Sequence, residues 1–182
     1  TEAHNNLGAT LKKLRRYDEA EASYRQAITL RPDYAAGYYN LGATLQELGR
    51  FDESEASLRQ AIALKPDLVE AHNNLGATLE KLGRLDESEA SLRQAIALKP
   101  DDAVAHNNLG NTLQGLGRFD ESEVSLRQAI ALKPDYVDAW DNLLFMLNYD
   151  PRLSSAELYR EYEAYGRFVS SKMVRRFDHS NR

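Results

Sequence analysis

The feature that most limits this chain is an internal period of 34 residues. Four of its five prolines, Pro32, Pro66, Pro100 and Pro134, stand at that interval. The pairs Leu7-Gly8, Leu41-Gly42, Leu75-Gly76 and Leu109-Gly110 keep the same step. The string EASLRQAIALKPD occupies 55–67 and again 89–101, and 123–135 differs only by Val124. Self-similarity of this kind marks a repeat architecture, in which a short unit buries its apolar face only against the next copy. The 182 residues therefore read as one array rather than as a domain with a single core.

Each unit reads as a pair of helices, and residues 69–102 show why. Asp67 is placed to cap the first helix, with Glu70 three residues on. Leu75, Leu79 and Leu82 supply an apolar stripe at helical spacing, and Gly83 ends it. Asp86 and Glu89 repeat the capping pattern, and Leu92, Ala95, Ile96 and Leu98 form the second stripe. Pro100 holds Lys99 out of helical geometry and closes the unit. In the first unit Arg15 takes the slot of Gly49, Gly83 and Gly117. Four units are expected, at 1–34, 35–68, 69–102 and 103–136. A fifth leading helix, with Trp140, Leu143 and Leu147, is expected over about 137–149. Asp150-Pro151 breaks the pattern, and Ser154-x-x-Glu157 opens another helix over about 155–172. Its face of Leu158, Tyr162, Tyr165 and Val169 is expected to pack on the fifth leading helix, leaving 173–182 as a tail.

These residues resemble the tetratricopeptide repeat (TPR) family. The small and large positions of that family are matched by Leu7, Gly8, Leu11, Ala20, Tyr24, Ala27 and Pro32, while Ser54, Ser88 and Ser122 stand where it prefers alanine. The resemblance implies an all-α fold: a right-handed solenoid of antiparallel helix pairs, here with a C-terminal capping helix. It also implies that the leading helices line a concave wall. On a helical wheel of about 100° per residue, positions 2, 5, 6, 9, 12 and 13 of each unit lie opposite the partner helix and form that wall. Position 6 is Asn6, Asn40, Asn74, Asn108 and Asn142 without exception, and position 5 adds Asn5, Asn73 and Asn107 beside Tyr39 and Asp141. Asparagine is a mediocre helix former, so the series asks for a reason. A side-chain amide donates and accepts, as a peptide bond does. Neighbouring helices about 8–10 Å apart match every third residue of an extended chain rising about 3.3 Å per residue. The amides are therefore expected to hold extended peptides or proteins by the backbone. The competing reading is that duplication copied a harmless surface residue.

Charge and composition narrow the partners. Residues 1–150 hold 16 Lys/Arg against 24 Asp/Glu, and residues 151–182 hold 7 against 4. An acidic array lacks the basic stripe that nucleic acid requires. No apolar run of about 18 residues offers a membrane span. With no cysteine there is neither a disulfide nor a thiolate metal site, which fits a cytoplasmic location. Neither cofactor nor metal is expected. His4, His72 and His106 lie one repeat or more apart on the core-facing side, too far apart for ligands that sit about 2 Å from zinc. His179 stands alone in the tail. Ser54, Ser88 and Ser122 have no paired histidine and read as filler rather than nucleophiles. Arg16, Arg50, Arg84 and Arg118 read as solvated, or as a second binding edge. Nothing precedes the first unit to cover its apolar edge, which invites end-to-end self-association.

A narrower resemblance follows from A-H-N-N-L-G at 3–8, 71–76 and 105–110. It is similar to the repeats of protein O-glycosyltransferases of the O-GlcNAc transferase and SPINDLY type, and residues 142–169 look like the connector ahead of their catalytic domain. That resemblance implies a substrate-recognition arm, with an asparagine-lined groove and no catalytic residue of its own. The alternative is a free-standing or self-assembling adaptor. On either reading the chain is expected to be a non-enzymatic piece of something longer.

Overall fold

The structure, a computed structural model, describes residues 1–177, with side chains to residue 170; of the expected tail, residues 178–182, His179 among them, lie outside the described residues. The described residues are all-α and fall into two compact units, Thr1–Asp101 and Asp102–Arg182. The first holds α1 (Glu2–Lys13), α2 (Tyr17–Leu30), α3 (Ala35–Glu47), α4 (Phe51–Leu64), α5 (Val69–Lys81) and α6 (Leu85–Leu98). The second holds α7 (Ala103–Gly115), α8 (Phe119–Leu132), α9 (Val137–Asn148) and α10 (Ser155–Phe177). None of these helices is long and apolar enough to cross a membrane.

Within the first unit each odd-numbered helix pairs with the next to form a hairpin, and successive hairpins stack. Glycine sets how closely a hairpin closes. A Cβ added to Gly42 would lie 2.7 Å from Leu58 Cγ, and one added to Gly76 would lie 2.5 Å from Leu92 Cγ. The fully buried Ser54 and Ser88 exploit that closeness, donating to the carbonyls of Gly42 at 2.9 Å and Gly76 at 2.8 Å. Ser122 does the same to Gly110 in the second unit, at 2.7 Å. The serines are thus not filler: each lends a hydroxyl where two backbones meet. Stacking then builds the core. Leu11, Tyr24, Leu41 and Leu45 cluster between the first two hairpins, and Leu58, Leu75 and Leu79 between the next two. A fully buried leucine contributes about 2 kcal/mol. Leu41 and Leu75 are buried, whereas Leu7, their counterpart on α1, is half exposed, as is Leu14.

The helix ends depart from expectation. Asp67 and Asp86 are not caps: α5 is capped at Leu68 and α6 at Arg84, neither with a side-chain capping bond. Asp86 lies instead in the first turn of α6, where a carboxylate favours the helix dipole. True side-chain caps occur in the second unit. Asp102 accepts from the Val104 and Ala105 amides, and Ser154 and Glu157 form the expected reciprocal pair before α10. The glycine stops are as expected, at positive φ, and Arg15 is forced into the same left-handed conformation at φ 59°.

The arginines that end the turns are not simply solvated. Arg50 grips Glu53 through two nitrogens and reaches back to Glu21 at 2.6 Å. Arg84 does the same with Glu87 and Glu55. Arg25 and Arg59 complete the lattice through Glu21/Glu53 and Glu55/Glu87. Neighbouring second helices are therefore laced together by charge.

In the second unit α10 packs on α9. Leu153 and Leu158 join Leu126, Leu143 and Leu147, and Tyr165 lies 5.7 Å from the Trp140 ring. Tyr162 and Val169, expected in the same face, are partly exposed instead; Tyr162 accepts a hydrogen bond from Asn148. The helix continues to Phe177, past the expected end.

Candidate functional site

The leading helices carry the candidate wall, and within the first unit these are α1, α3 and α5. Asn6 is exposed, and Asn5, Asn40, Asn73 and Asn74 are half-buried. The two asparagine positions meet across the helix boundary. Asn40 Nδ2 donates to Asn5 Oδ1 at 2.8 Å. Where Tyr39 replaces asparagine, the Asn74 amide bonds the tyrosine hydroxyl, and burial pushes that phenol's pKa up. Position 6 of one repeat thus leans on position 5 of the repeat before it. Asn40 spends one N–H on this bond and keeps a second N–H and its oxygen.

The second unit repeats the pairing between α7 and α9. Asn142 Nδ2 donates to Asn107 Oδ1 at 3.0 Å. Asn107 is 4% exposed, so it supports the wall from beneath rather than lining it. Asn108 is half-buried and takes a long 3.4 Å contact from Asn107 Nδ2.

In the first two repeats position 12, assigned to the groove from the wheel, serves the seam instead. Gln46 Nε2 donates to Asn74 O at 2.9 Å and to Thr78 Oγ1 at 2.7 Å. Lys12 Nζ reaches Ala43 O at 3.2 Å, and burial lowers its pKa. Position 13 is exposed in every repeat. The wheel missed the seam because it places residues about one helix axis and knows nothing of the next helix.

The histidine position has a structural task. His72 Nε2 bonds the Pro66 carbonyl at 2.9 Å, and Trp140 Nε1 donates to the Pro134 carbonyl at 3.1 Å. A ring N–H at this position ties the leading helix to the preceding loop. Among the described residues no cluster of His, Cys, Asp or Glu suits a metal ion.

Comparison with known proteins agrees with the fold. Family profiles described as tetratricopeptide repeat match residues 1–67, 39–103 and 103–136. No curated protein matches the sequence. A solved structure of MamA is similar with a TM-score of 0.82 at 20% identity, covering 91% of this chain and 96% of its own. A thermophilic TPR protein of Thermus thermophilus gives 0.73 at 23% identity, covering 94% and 98%. The first TPR of Spaghetti, solved bound to an HSP90 peptide, gives 0.62 at 24% identity, covering 63% and 91%.

Proposed function

Because the chain belongs to the tetratricopeptide repeat family, we propose that it is a protein-interaction scaffold whose amide-lined walls hold extended peptide by its backbone. The bond from Asn40 to Asn5 carries this reading. It fixes one end of the Asn40 amide, so the second N–H and the oxygen are oriented before a peptide arrives and little side-chain entropy remains to be lost. Contact through the peptide backbone tolerates many sequences, which suits a scaffold. The Spaghetti TPR, solved with a bound peptide, supports peptide as the class of partner.

The test is to replace Asn40, Asn74 and Asn108 by alanine together. Each lost amide contact removes about 1 kcal/mol, so affinity for unrelated extended peptides should fall at least tenfold, with helicity by circular dichroism unchanged. Undiminished binding sinks the proposal.

Two narrower readings remain. The substrate arm of a protein O-glycosyltransferase rests on the A-H-N-N-L-G strings and residues 142–169 alone; no structure named above is a transferase. Coding sequence for a two-lobed transferase downstream of Arg182 is what that reading requires, and a stop codon there ends it. Self-association of a cytoplasmic adaptor draws on the exposed Leu7 and Leu14 of the first hairpin, an edge shaped for another hairpin of the same kind.

A further inference from the structure

The last two repeats depart from the copied pattern on the wall itself. Position 9 is Ala9, Ala43 and Ala77 in the first three repeats, but Asn111 on α7 and Phe145 on α9. Position 13 is Lys13, Glu47, Lys81 and Gly115, but Tyr149 in the fifth. Duplication accounts for residues that recur and cannot account for these three. None of them serves the fold. Phe145 and Tyr149 are 58% and 74% exposed, with their rings 5.2 Å apart. Asn111 Oδ1 is buried, and no group among the described residues donates to it. Aromatic surface left in water adds nothing to folding, and a buried acceptor left unmatched destabilises it. Such breaches of local rules gather where a protein meets a partner.

Replacement of a glycine makes room beside them. Position 8 is glycine in the four full repeats, where a side chain of the second helix closes on it. In the fifth repeat the buried Leu144 takes that place, and Asp150–Ser154 intervenes before α10 begins at Ser155. A cleft of about 610 Å³ is left between the α7–α8 turn and the end of α9, lined by Phe119, Phe145, Met146 and Tyr149. The ionisable groups around it are matched to one another. Arg152 is held by Asp150 at 2.7 Å and Asp120 at 2.8 Å, Arg118 holds Glu121, and Arg127 holds Glu123. The cleft therefore offers apolar surface and selects no sign of charge. Phe145 follows Asn142 by three residues on α9, about 4.5 Å along the helix, and Tyr149 stands one turn further on the same face. A peptide whose backbone meets the Asn142 amide thus has a side chain within reach of the Phe145 ring. Resting on the peptide-holding role proposed above, we infer that Phe145 and Tyr149 set the selectivity of the second unit's wall. It prefers segments that place a large apolar side chain, aromatic or aliphatic, beside the residue held at Asn142.

The probes are fluorescein-labelled nonapeptides of alternating serine and threonine with one central residue varied, read by fluorescence anisotropy on the full chain. The phenylalanine and leucine probes should bind at least tenfold tighter than the glycine probe. Lysine and glutamate probes should bind no tighter than glycine. Phe145→Ala and Tyr149→Ala should each shrink the preference for phenylalanine and leave the glycine probe at its parent affinity. Circular dichroism and melting temperature should stay unchanged, because both side chains lie mostly in solvent. The triple asparagine variant should weaken the phenylalanine and glycine probes in the same proportion. Equal binding of all probes by the parent chain overturns the selectivity and leaves the amide walls standing. A preference that both aromatic variants retain, or one for lysine or glutamate, overturns it as well. So does a homodimer that Phe145→Ala dissolves, since the occupant would then be a second copy. Full binding of both probes by the asparagine variant removes the amide reading, and this inference with it, even where the phenylalanine preference persists.

Discussion

Gly76→Ala tests whether the hairpin is as close as the structure shows. The new methyl would lie 2.5 Å from Leu92 Cγ, 2.8 Å from Cδ2 and 3.2 Å from Cδ1, where carbon pairs settle at about 3.5–4.0 Å. Leu92 has no exposure, and Cγ is the branch point of its side chain, so the leucine cannot swing aside. The helices α5 and α6 must part instead, which also stretches the 2.8 Å bond from Ser88 to the Gly76 carbonyl. Overpacking costs about 1–3 kcal/mol, and a weakened hydrogen bond about 1 kcal/mol more. Alanine returns about 1 kcal/mol of helix propensity. The net loss is about 2 kcal/mol, or about 4–8 °C of melting temperature for a chain of this size. Gly166 is the control: it lies within α10, and a Cβ there meets nothing within 4 Å. Gly166→Ala therefore keeps only the propensity gain and should leave the melting temperature unchanged or higher. Thermal unfolding followed by far-UV circular dichroism reads both variants. If Gly76→Ala melts at or above the parent, the close approach is wrong, and with it the placement of Asn73 and Asn74 on the same helix.

Two further outcomes follow from the ion pairs and the open edge. Hydrogen bonds from Arg50 and Arg84 hold Glu53 and Glu87 below the ordinary glutamate value of 4.5, and Arg152 holds Asp150 at about 2. Depressed carboxylates stabilise the fold fully above their unfolded pKa values and lose that stability as pH falls through the folded ones. The melting temperature should therefore hold from neutrality to about pH 4.5 and then drop steadily toward about pH 2; a flat profile across that window refutes the lattice. If Leu7 and Leu14 drive self-association, sedimentation velocity should show mass rising with concentration, and Leu14→Lys should abolish the rise; a monomer at every concentration removes that reading.

The repeat, the helix pairs and the glycine and proline stops were legible in the sequence because each is local. A period of 34 residues, an apolar stripe and a residue able to take positive φ all act within a single hairpin. The asparagine series was legible too, but only as a list of positions. What joins them is decided between hairpins: Asn40 to Asn5, Gln46 to Asn74, Arg50 to Glu21. These pairs lie about one repeat apart in the chain, and stacking alone brings them together. The same limit explains the misplaced caps at Asp67 and Asp86, since the route of the chain between packed helices sets where each helix begins. Phe145 and Tyr149 stand at positions 9 and 13 of the fifth unit, on the wall side of the wheel, and the structure leaves both exposed. Sequence alone determined which units form, because backbone preference and apolar spacing are properties of neighbouring residues. Tertiary structure decided which side chains are spent on holding units together and which remain for a partner, because that depends on what the next helix covers.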